Sequence, residues 1–181
     1  NTGSLNYIKK NILSYVIGIK TNLRFYKNEI GSSVSCNGVC LTLTKIEKKI
    51  IFFYISKETI NRSNLKFLKI GDVFNLEKSL IYGQKISGHF VQGHVDTTAA
   101  ISKIYLSGKT WVIKFSLTNV NLSKFLLEKA SISINGVSLT ISRVKGNFFE
   151  VNVIPHTLNF TNLKNLKIKN VVNIELDIFA K

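Results

Sequence analysis

Two stretches of the chain nearly repeat each other: "SVSCNGVCLTLT" (Ser33–Thr44) and "SISINGVSLTIS" (Ser131–Ser142). Sliding the sequence against itself by 98 positions, without a gap, aligns Ser35–Glu77 with Ser133–Glu175, and 17 of those 43 positions are identical. Asn37, Gly38, Val39, Leu41 and Thr42 meet Asn135, Gly136, Val137, Leu139 and Thr140. Downstream, "TINRSNLKFLKI" meets "TLNFTNLKNLKI", and "VFNLE" meets "VVNIE". Self-similarity of that length means a duplicated domain. Each copy takes about half of the 181 residues, which is small but sufficient for a β-barrel with a filled interior.

The upstream edges can be paired too. "NTGSL" at the start, set against "VQGHV" (Val91–Val95), pairs Gly3 with Gly93 and Ser4 with His94. That puts the boundary near Ile86–Gly88, in "YGQKISGHF", where glycines and polar residues break the apolar pattern. The expected units are 1–86 and 87–177, with 178–181 beginning a tail. Within each, "KIIFFYIS", "TWVIKFSL", "FFEVNVI" and "NVVNIELDI" alternate with period two and are rich in β-branched and aromatic residues. "NLSKFLLEK" and "NLKFLKI" suit short helical turns. The fold expected is all-β: two tandem barrels with short helical segments.

The repeated stretch has one irregularity. Apolar residues sit at Val34 and Cys36 and then at Val39, Leu41 and Leu43, so the alternation changes phase across Asn37-Gly38; the second copy does the same across Asn135-Gly136. A β-bulge or tight kink would do this, and so would a two-residue hairpin turn, which Asn-Gly also favours. Either way Leu41 and Leu139 face the core. Cys40, Thr42 and Thr44 line the other face in one copy, and Ser138, Thr140 and Ser142 in the other. A single threonine there is an ordinary strand residue on a wet face. Two matched rows of small hydroxyl or thiol groups suit a ligand lying on that face.

A net charge of +15 raises the question of nucleic acid. The charge is nearly all lysine, scattered through an Asn- and Ile-rich chain, with arginine only at Arg24, Arg62 and Arg143. That is a solvated surface, lacking the clustered basic and aromatic residues a nucleic-acid groove uses. No apolar run approaches the ~20 residues of a membrane span, and no signal-peptide pattern opens the chain. The sequence contains no methionine, so the initiator is expected upstream of Asn1. Cys36 and Cys40 on one straight strand would lie roughly 13 Å apart, too far to bridge; reduced thiols point to the cytoplasm. Cys36 falls on the apolar side and reads as core. His89 and His94 on a strand would point to opposite faces, with no carboxylate-rich partner, so no metal site is expected.

"NGVCLTLT", "GHFVQGHVD", "INGVSLTIS" and "IPHTLNFTNL" together resemble the riboflavin synthase family, in the right order and at the right separation from Thr2-Gly3 to about Asp177. The resemblance implies two similar six-stranded barrels per chain and a homotrimer, with the N-barrel of one subunit meeting the C-barrel of its neighbour at the site. It implies a transferase that takes two molecules of 6,7-dimethyl-8-ribityllumazine and moves a four-carbon unit from one to the other, without metal or organic cofactor. The products are riboflavin and a ribitylamino-pyrimidinedione. The family also includes non-catalytic lumazine- and flavin-binding antenna proteins; retention of Cys40, Thr42, His94, Ser138 and Thr140 favours the enzyme.

Carried over by position, the resemblance gives the C-barrel site His94, Ser138 and Thr140, flanked by Gly93, Val95, Asn135 and Leu139, with Lys129 reaching in from the partner side. Ile154, Pro155, His156, Thr157, Leu158 and Asn159 would cradle ring and ribityl chain. The N-barrel site would use Cys40, Leu41, Thr42 and Ser33, with Gly3, Ser4 and Leu5 at its strand start. Tyr54, Ser56, Lys57, Glu58 and Thr59 would be the counterpart of the Ile154 segment. Asp177 closes the set. His156 aligns with Glu58 and is expected behind the ligand-contacting groups. His94 is the expected proton carrier, because histidine titrates near neutrality; Ser138 would position the attacking group or take part itself, and Cys40 ranks below both. Two features depart from the family: Asn1 stands where an aromatic is usual before Thr-Gly, and the chain stops at Lys181, where the family continues into a trimerising helix.

Overall fold

The Asn-Gly of each repeat is a hairpin turn. Asn37 and Gly38 take φ of 52° and 74°, and Asn135 and Gly136 take 48° and 77°, the two consecutive positive values of a type I′ turn. The hairpins join β3 (Ser33–Cys36) to β4 (Val39–Glu47) and β9 (Ser131–Ile134) to β10 (Val137–Lys145). Cys36 faces Val39, and Ile134 faces Val137, across their turns. The phase changes because two residues leave the pleat. The two cysteines therefore sit on adjacent strands rather than one, and both are free thiols. The bulges lie further on, at Thr44 and Ser142, where the register slips between Leu43 and Lys45 and between Ile141 and Arg143. Their hydroxyls donate to Phe52 O (2.9 Å) and Glu150 O (3.0 Å), which removes both from the ligand-facing rows.

The computed structural model describes residues Asn1–Lys181. The first closed barrel adds β1 (Thr2–Lys10), β2 (Ser14–Thr21), β5 (Ile50–Ser56) and β6 (Val73–Lys78), in the order β1-β2-β5-β4-β3-β6. The second adds β7 (Thr97–Ser107), β8 (Thr110–Leu117), β11 (Phe148–Val153) and β12 (Val171–Leu176) in the corresponding order. The expectation of two six-stranded barrels is met. Inward positions fill each interior: Leu5, Ile17, Ile19, Leu43, Phe53 and Phe74 in the first, and Ile101, Phe115, Phe149, Val151 and Ile174 in the second. Each such side chain contributes about 1.5–3 kcal/mol by leaving water. Cys36 belongs to the first core, where burial pushes its thiol up.

Two short helices, α1 (Lys57–Arg62) and α2 (Pro155–Phe160), follow β5 and β11. Ser56 caps α1 by accepting from Thr59 N–H at 3.2 Å, and Pro155 opens α2, where its missing N–H costs nothing. Single 3-10 turns at Asn64–Phe67 and Asn162–Asn165 follow them, and Ile60, Leu65, Leu68 and Leu163 bring these caps into the cores. The expected helical turns are present as 3-10 turns at Asn64–Phe67 and Val120–Phe125. No helix is long and apolar enough to cross a membrane.

The strand starts are not related as the sequence pairing has them. Thr2 and Gly3 pair with Asn75 and Phe74, as Thr98 and Ala99 pair with Asn173 and Val172. Leu5 N–H donates to Asp72 O just as Ile101 N–H donates to Asn170 O. Gly3, Ser4 and Leu5 therefore correspond to Ala99, Ala100 and Ile101, six residues beyond Gly93, His94 and Val95. The core decides this register, since Leu5, only 1% exposed, must point inward. A Cβ on Gly3 would come within 2.9 Å of Ile19, Leu76 and the Lys20 carbonyl. By the same register, six residues away from the sequence pairing, Ser4 is not the counterpart of His94.

Six asparagines lock the barrels together about a pseudo-twofold axis. Asn162 N–H donates to Asn75 Oδ1 (2.7 Å), mirrored by Asn64 N–H to Asn173 Oδ1 (2.7 Å). Asn75 Nδ2 donates across the axis to Asn135 O (2.9 Å), mirrored by Asn173 Nδ2 to Asn37 O (2.9 Å). Gly38 and Gly136 meet back to back, so a Cβ on Gly38 would lie 2.7 Å from Gly136 N. Replacing Gly38 by Ala should cost more than the roughly 1 kcal/mol of a left-handed residue alone, because backbone opposes it. Thermal unfolding of Gly38→Ala beside Gly146→Ala, also at positive φ but in open space, separates the two effects.

Candidate functional site between the barrels

A cleft of about 860 Å³ lies where both barrels meet the segment joining β6 to β7. Ser33, Ser35 and Cys40 line it from the first barrel, Gly136 and Ser138 from the second, and His89 and Gly93 from the joining segment. The lining follows from the hairpins. Ser35 is paired with Cys40, and Ser33 with Thr42, so these residues share the face opposite the core. Ser133 is paired with Ser138 in the same way.

The joining segment is not strand, so the alternation argument for His89 and His94 does not apply; the segment spans the cleft and places them differently. Gly93 accepts Cys40 N–H at 2.8 Å. With φ at +76°, its missing Cβ would lie 2.8 Å from Cys40 Cβ, a contact only glycine permits. Val95 packs onto the first barrel's core. At the other end, Gly88 lies against Ser138, and His89 Nδ1 is hydrogen-bonded to Ser138 Oγ at 2.7 Å. The sequence-based grouping of His94 with Ser138 is thus corrected: the imidazole at Ser138 is His89, while His94 follows the glycine that docks on Cys40.

Glu175 fixes this arrangement. Its carboxylate, 3% exposed, accepts the N–H groups of Gln92 (2.7 Å), Gly93 (2.9 Å) and His94 (3.1 Å). Burial raises its pKa, against the pull of the three N–H groups and Lys181. A carboxyl raised on folding binds more protons folded than unfolded. Its contribution is therefore greatest at acid pH and declines as pH rises from the ordinary glutamate value, about 4.3, through the folded one. Glu175→Gln should remove that decline. It should also cost about 1–3 kcal/mol at neutral pH, since one amide oxygen cannot serve three N–H donors, one of them buried and two half-buried. Urea unfolding of both proteins from pH 4 to 8 measures the two effects; equal stability at pH 7 would refute the assignment.

The other expected site residues divide into three groups. Thr42 and Thr140 are exposed on β4 and β10, and Lys129, at φ 71° and also exposed in the turn before β9, donates its N–H to Ile141 O next to Thr140. Tyr54, Ser56, Lys57, Glu58 and Thr59 run along the end of β5 into α1, with Glu58 ion-paired to Arg62. Ile154, Pro155, His156, Thr157 and Asn159 do the same at α2, where His156 packs on Phe160 at 4.7 Å. Leu158 packs against the second core. Asp177 caps the last turn by accepting Phe179 N–H. A third group faces away from any ligand. Leu5 and Leu41 are in the first core, Leu139 packs on the second, Gly3 points into its barrel, and Asn135 is consumed by the asparagine lock. The sequence reading weighs His89 only as a metal ligand and leaves Ser35 and Ser133 out, although Ser35 and Ser133 are identical across the repeat; His89 stands in "GHF" of the joining segment, outside the repeat, and has no such signal.

The fold and cleft define a class: duplicated-barrel proteins with a polar, ligand-sized cleft shared by homologous faces of both barrels. The family model described as "Lumazine binding domain" matches residues 1–79 and again 92–177, and the chain belongs to that family. It is 40% identical over 174 residues to the riboflavin synthase of Buchnera aphidicola subsp. Schizaphis graminum, covering 96% of this chain and 83% of that one. It is 41% identical over 149 residues to the riboflavin synthase of Escherichia coli K12, covering 82% and 70%. Among solved structures, LumP complexed with flavin mononucleotide superposes with a TM-score of 0.83 at 25% identity, covering 97% of this chain and 95% of LumP. LumP complexed with 6,7-dimethyl-8-(1'-D-ribityl) lumazine gives 0.82 at 25% identity.

Proposed function

We propose that the cleft binds the substituted lumazine and that Cys40 and Ser138 contact it; the chain functions as a riboflavin synthase. It transfers a four-carbon unit between two molecules of 6,7-dimethyl-8-ribityllumazine, giving riboflavin and 5-amino-6-ribitylamino-pyrimidinedione. The observation that carries the assignment of the site is that equivalent residues of the two barrels, Cys40 and Ser138, line one cleft. A reaction whose donor and acceptor are the same compound needs two related seats, and duplication supplies them. Holding two rings in mutual register replaces an encounter in solution, an advantage of up to about 7–11 kcal/mol where alignment is good. The hydroxyls of Ser33, Ser35 and Ser138 match a ribityl chain, which both donates and accepts hydrogen bonds. On this reading His94, docked by Gly93 beside Cys40, serves the first-barrel seat.

The remaining parts of the reading are a homotrimer and a cytoplasmic setting that keeps Cys36 and Cys40 reduced; the seats expected between subunits are assigned instead to a cleft within one chain, and exposed Thr42, Thr140 and Lys129 are left to face a neighbouring subunit. A trimer would sediment at about 61 kDa, three times 20.4 kDa. Incubation with the dimethyl-ribityllumazine tests the assignment: riboflavin should appear with one pyrimidinedione per riboflavin. Bound ligand without turnover would instead identify a non-catalytic carrier.

A further inference from the structure

Two buried polar atoms lack a hydrogen-bond partner, Ser133 Oγ and His89 Nε2. Both belong to residues touching Ser138: Ser133 is its cross-strand partner on the same face, and His89 is bonded to its hydroxyl. Buried polar groups are rarely left unpaired, so two around one serine mark a place prepared for something else. The first barrel differs, since no imidazole is hydrogen-bonded to Ser35 or Cys40.

From this geometry we infer that His89 is the proton acceptor for Ser138 in the second-barrel seat, with Ser133 Oγ as the free group that a polar atom of the substrate completes. The inference rests on the function proposed above. A proton leaves an acidic methyl of the lumazine for Ser138 Oγ as Ser138 passes its own proton to His89 Nδ1. The electron pair stays on the substrate, delocalised into its ring, and His89 becomes an imidazolium. When the carbanion has formed its new bond, the same two atoms return a proton to the product. Ser138 is the catalytic residue here and His89 a positioning residue that acts through it.

The environment suits that task. Burial holds the His89 ring below its ordinary pKa, so it is neutral and able to accept, while the Asp177 carboxylate favours the charged form that the transfer creates. The hairpin presents only the neutral Ser138 to the ring. Glu175 spends its carboxylate on the backbone of Gln92–His94, and Glu77, Lys78 and Lys85 line the same cleft. Because the neutral ring is the active form, rate should rise with pH through a value below about 6.5 and then level off.

His89→Asn keeps a polar group within reach of Ser138 but cannot titrate. Turnover of the dimethyl-ribityllumazine should fall about 100-fold or more in kcat with KM changed less than threefold, and the acid limb of the pH–kcat profile should vanish. Ser138→Ala with His89→Asn should be no slower than the worse single variant, since the two act as one unit. A His89→Asn enzyme within threefold of wild-type kcat, or one that keeps the acid limb, would overturn the inference. NMR titration of the wild-type imidazoles separates this failure from that of the function itself. A His89 ring with a lowered pKa that shifts in Ser138→Ala supports the pair even without turnover; an ordinary pKa unmoved by that change dismisses it.

Discussion

Asn75→Ala should lower the unfolding free energy by about 3–6 kcal/mol, and Asn173→Ala should do the same. Asn75 Oδ1 accepts Asn162 N–H, while Nδ2 donates to Asn135 O and Asn162 Oδ1, at 2.7 to 2.9 Å. Truncation leaves at least one donor and one acceptor unpaired in a closed interface, each costing about 1–3 kcal/mol, and adds a cavity. Asn173 stands in the mirrored position with the same set of bonds. A two-fold interface must be self-complementary, so a residue useful on one side is required on the other. That is why Asn37/Asn135, Asn64/Asn162 and Asn75/Asn173 are all identical across the repeat. Asn61 is also identical to its counterpart Asn159, yet both are exposed, and Asn61→Ala should stay within about 0.5 kcal/mol. Urea denaturation followed by the fluorescence of Trp111, the sole tryptophan, measures these values. A loss under 1 kcal/mol at Asn75 would mean that the barrels are held by something else.

The duplication, the all-β class and the core were legible because repetition and period-two alternation are local properties of the sequence. Alternation across Asn37-Gly38 could not separate a hairpin from a bulge, since both change the phase by removing residues from the pleat. The decision lay in the pairing of Cys36 with Val39, which is not written in either residue. At the N-terminus a shared glycine drew Gly3 toward Gly93, whereas burial of Leu5 fixes the register six residues away. Helices α1 and α2 have six residues each, too few to show a 3.6-residue period.

The site was legible where residues sit on strands and illegible where they sit on the joining segment. Cys40 and Ser138 were placed correctly on the outer face, because strand geometry dictates faces. Which histidine meets Ser138 depends on the path of Ser79–Asp96, a stretch without periodicity, held by Glu175 from the last strand. Nothing adjacent in sequence announces that Glu175 would take three of its N–H groups. The asparagines had a signal, three identical pairs, but polar repeats read as surface until their burial is known.

Ser138→Ala should reduce kcat by about 100- to 1,000-fold and leave the fold intact, while Cys36→Ala should do the reverse. Both residues lie in the hairpins that open the repeat, Cys36 on the first strand facing the core and Ser138 on the second strand facing the cleft. Ser138 Oγ reaches the cleft and is bonded to His89 at 2.7 Å; its side chain packs against nothing in the core, so truncation removes chemistry and little else. Cys36 is 0% exposed within the first barrel, and losing its sulfur opens a void worth about 1–2 kcal/mol with kcat unchanged within about twofold. Cys40→Ser is the informative intermediate. It writes the second copy's residue into the first, and because Ser138 does its work with a hydroxyl, the exchanged side chain should retain at least a tenth of the rate. Steady-state kinetics with the dimethyl-ribityllumazine, paired with melting curves for each variant, separate these outcomes. Equal losses of rate for Ser138→Ala and Cys36→Ala would mean that the outer face of the hairpin is no more involved in the reaction than the core. A Cys40→Ser enzyme as slow as Ser138→Ala would mean that the thiol takes part directly, making the first barrel an equal partner in the chemistry rather than the holder of the second molecule.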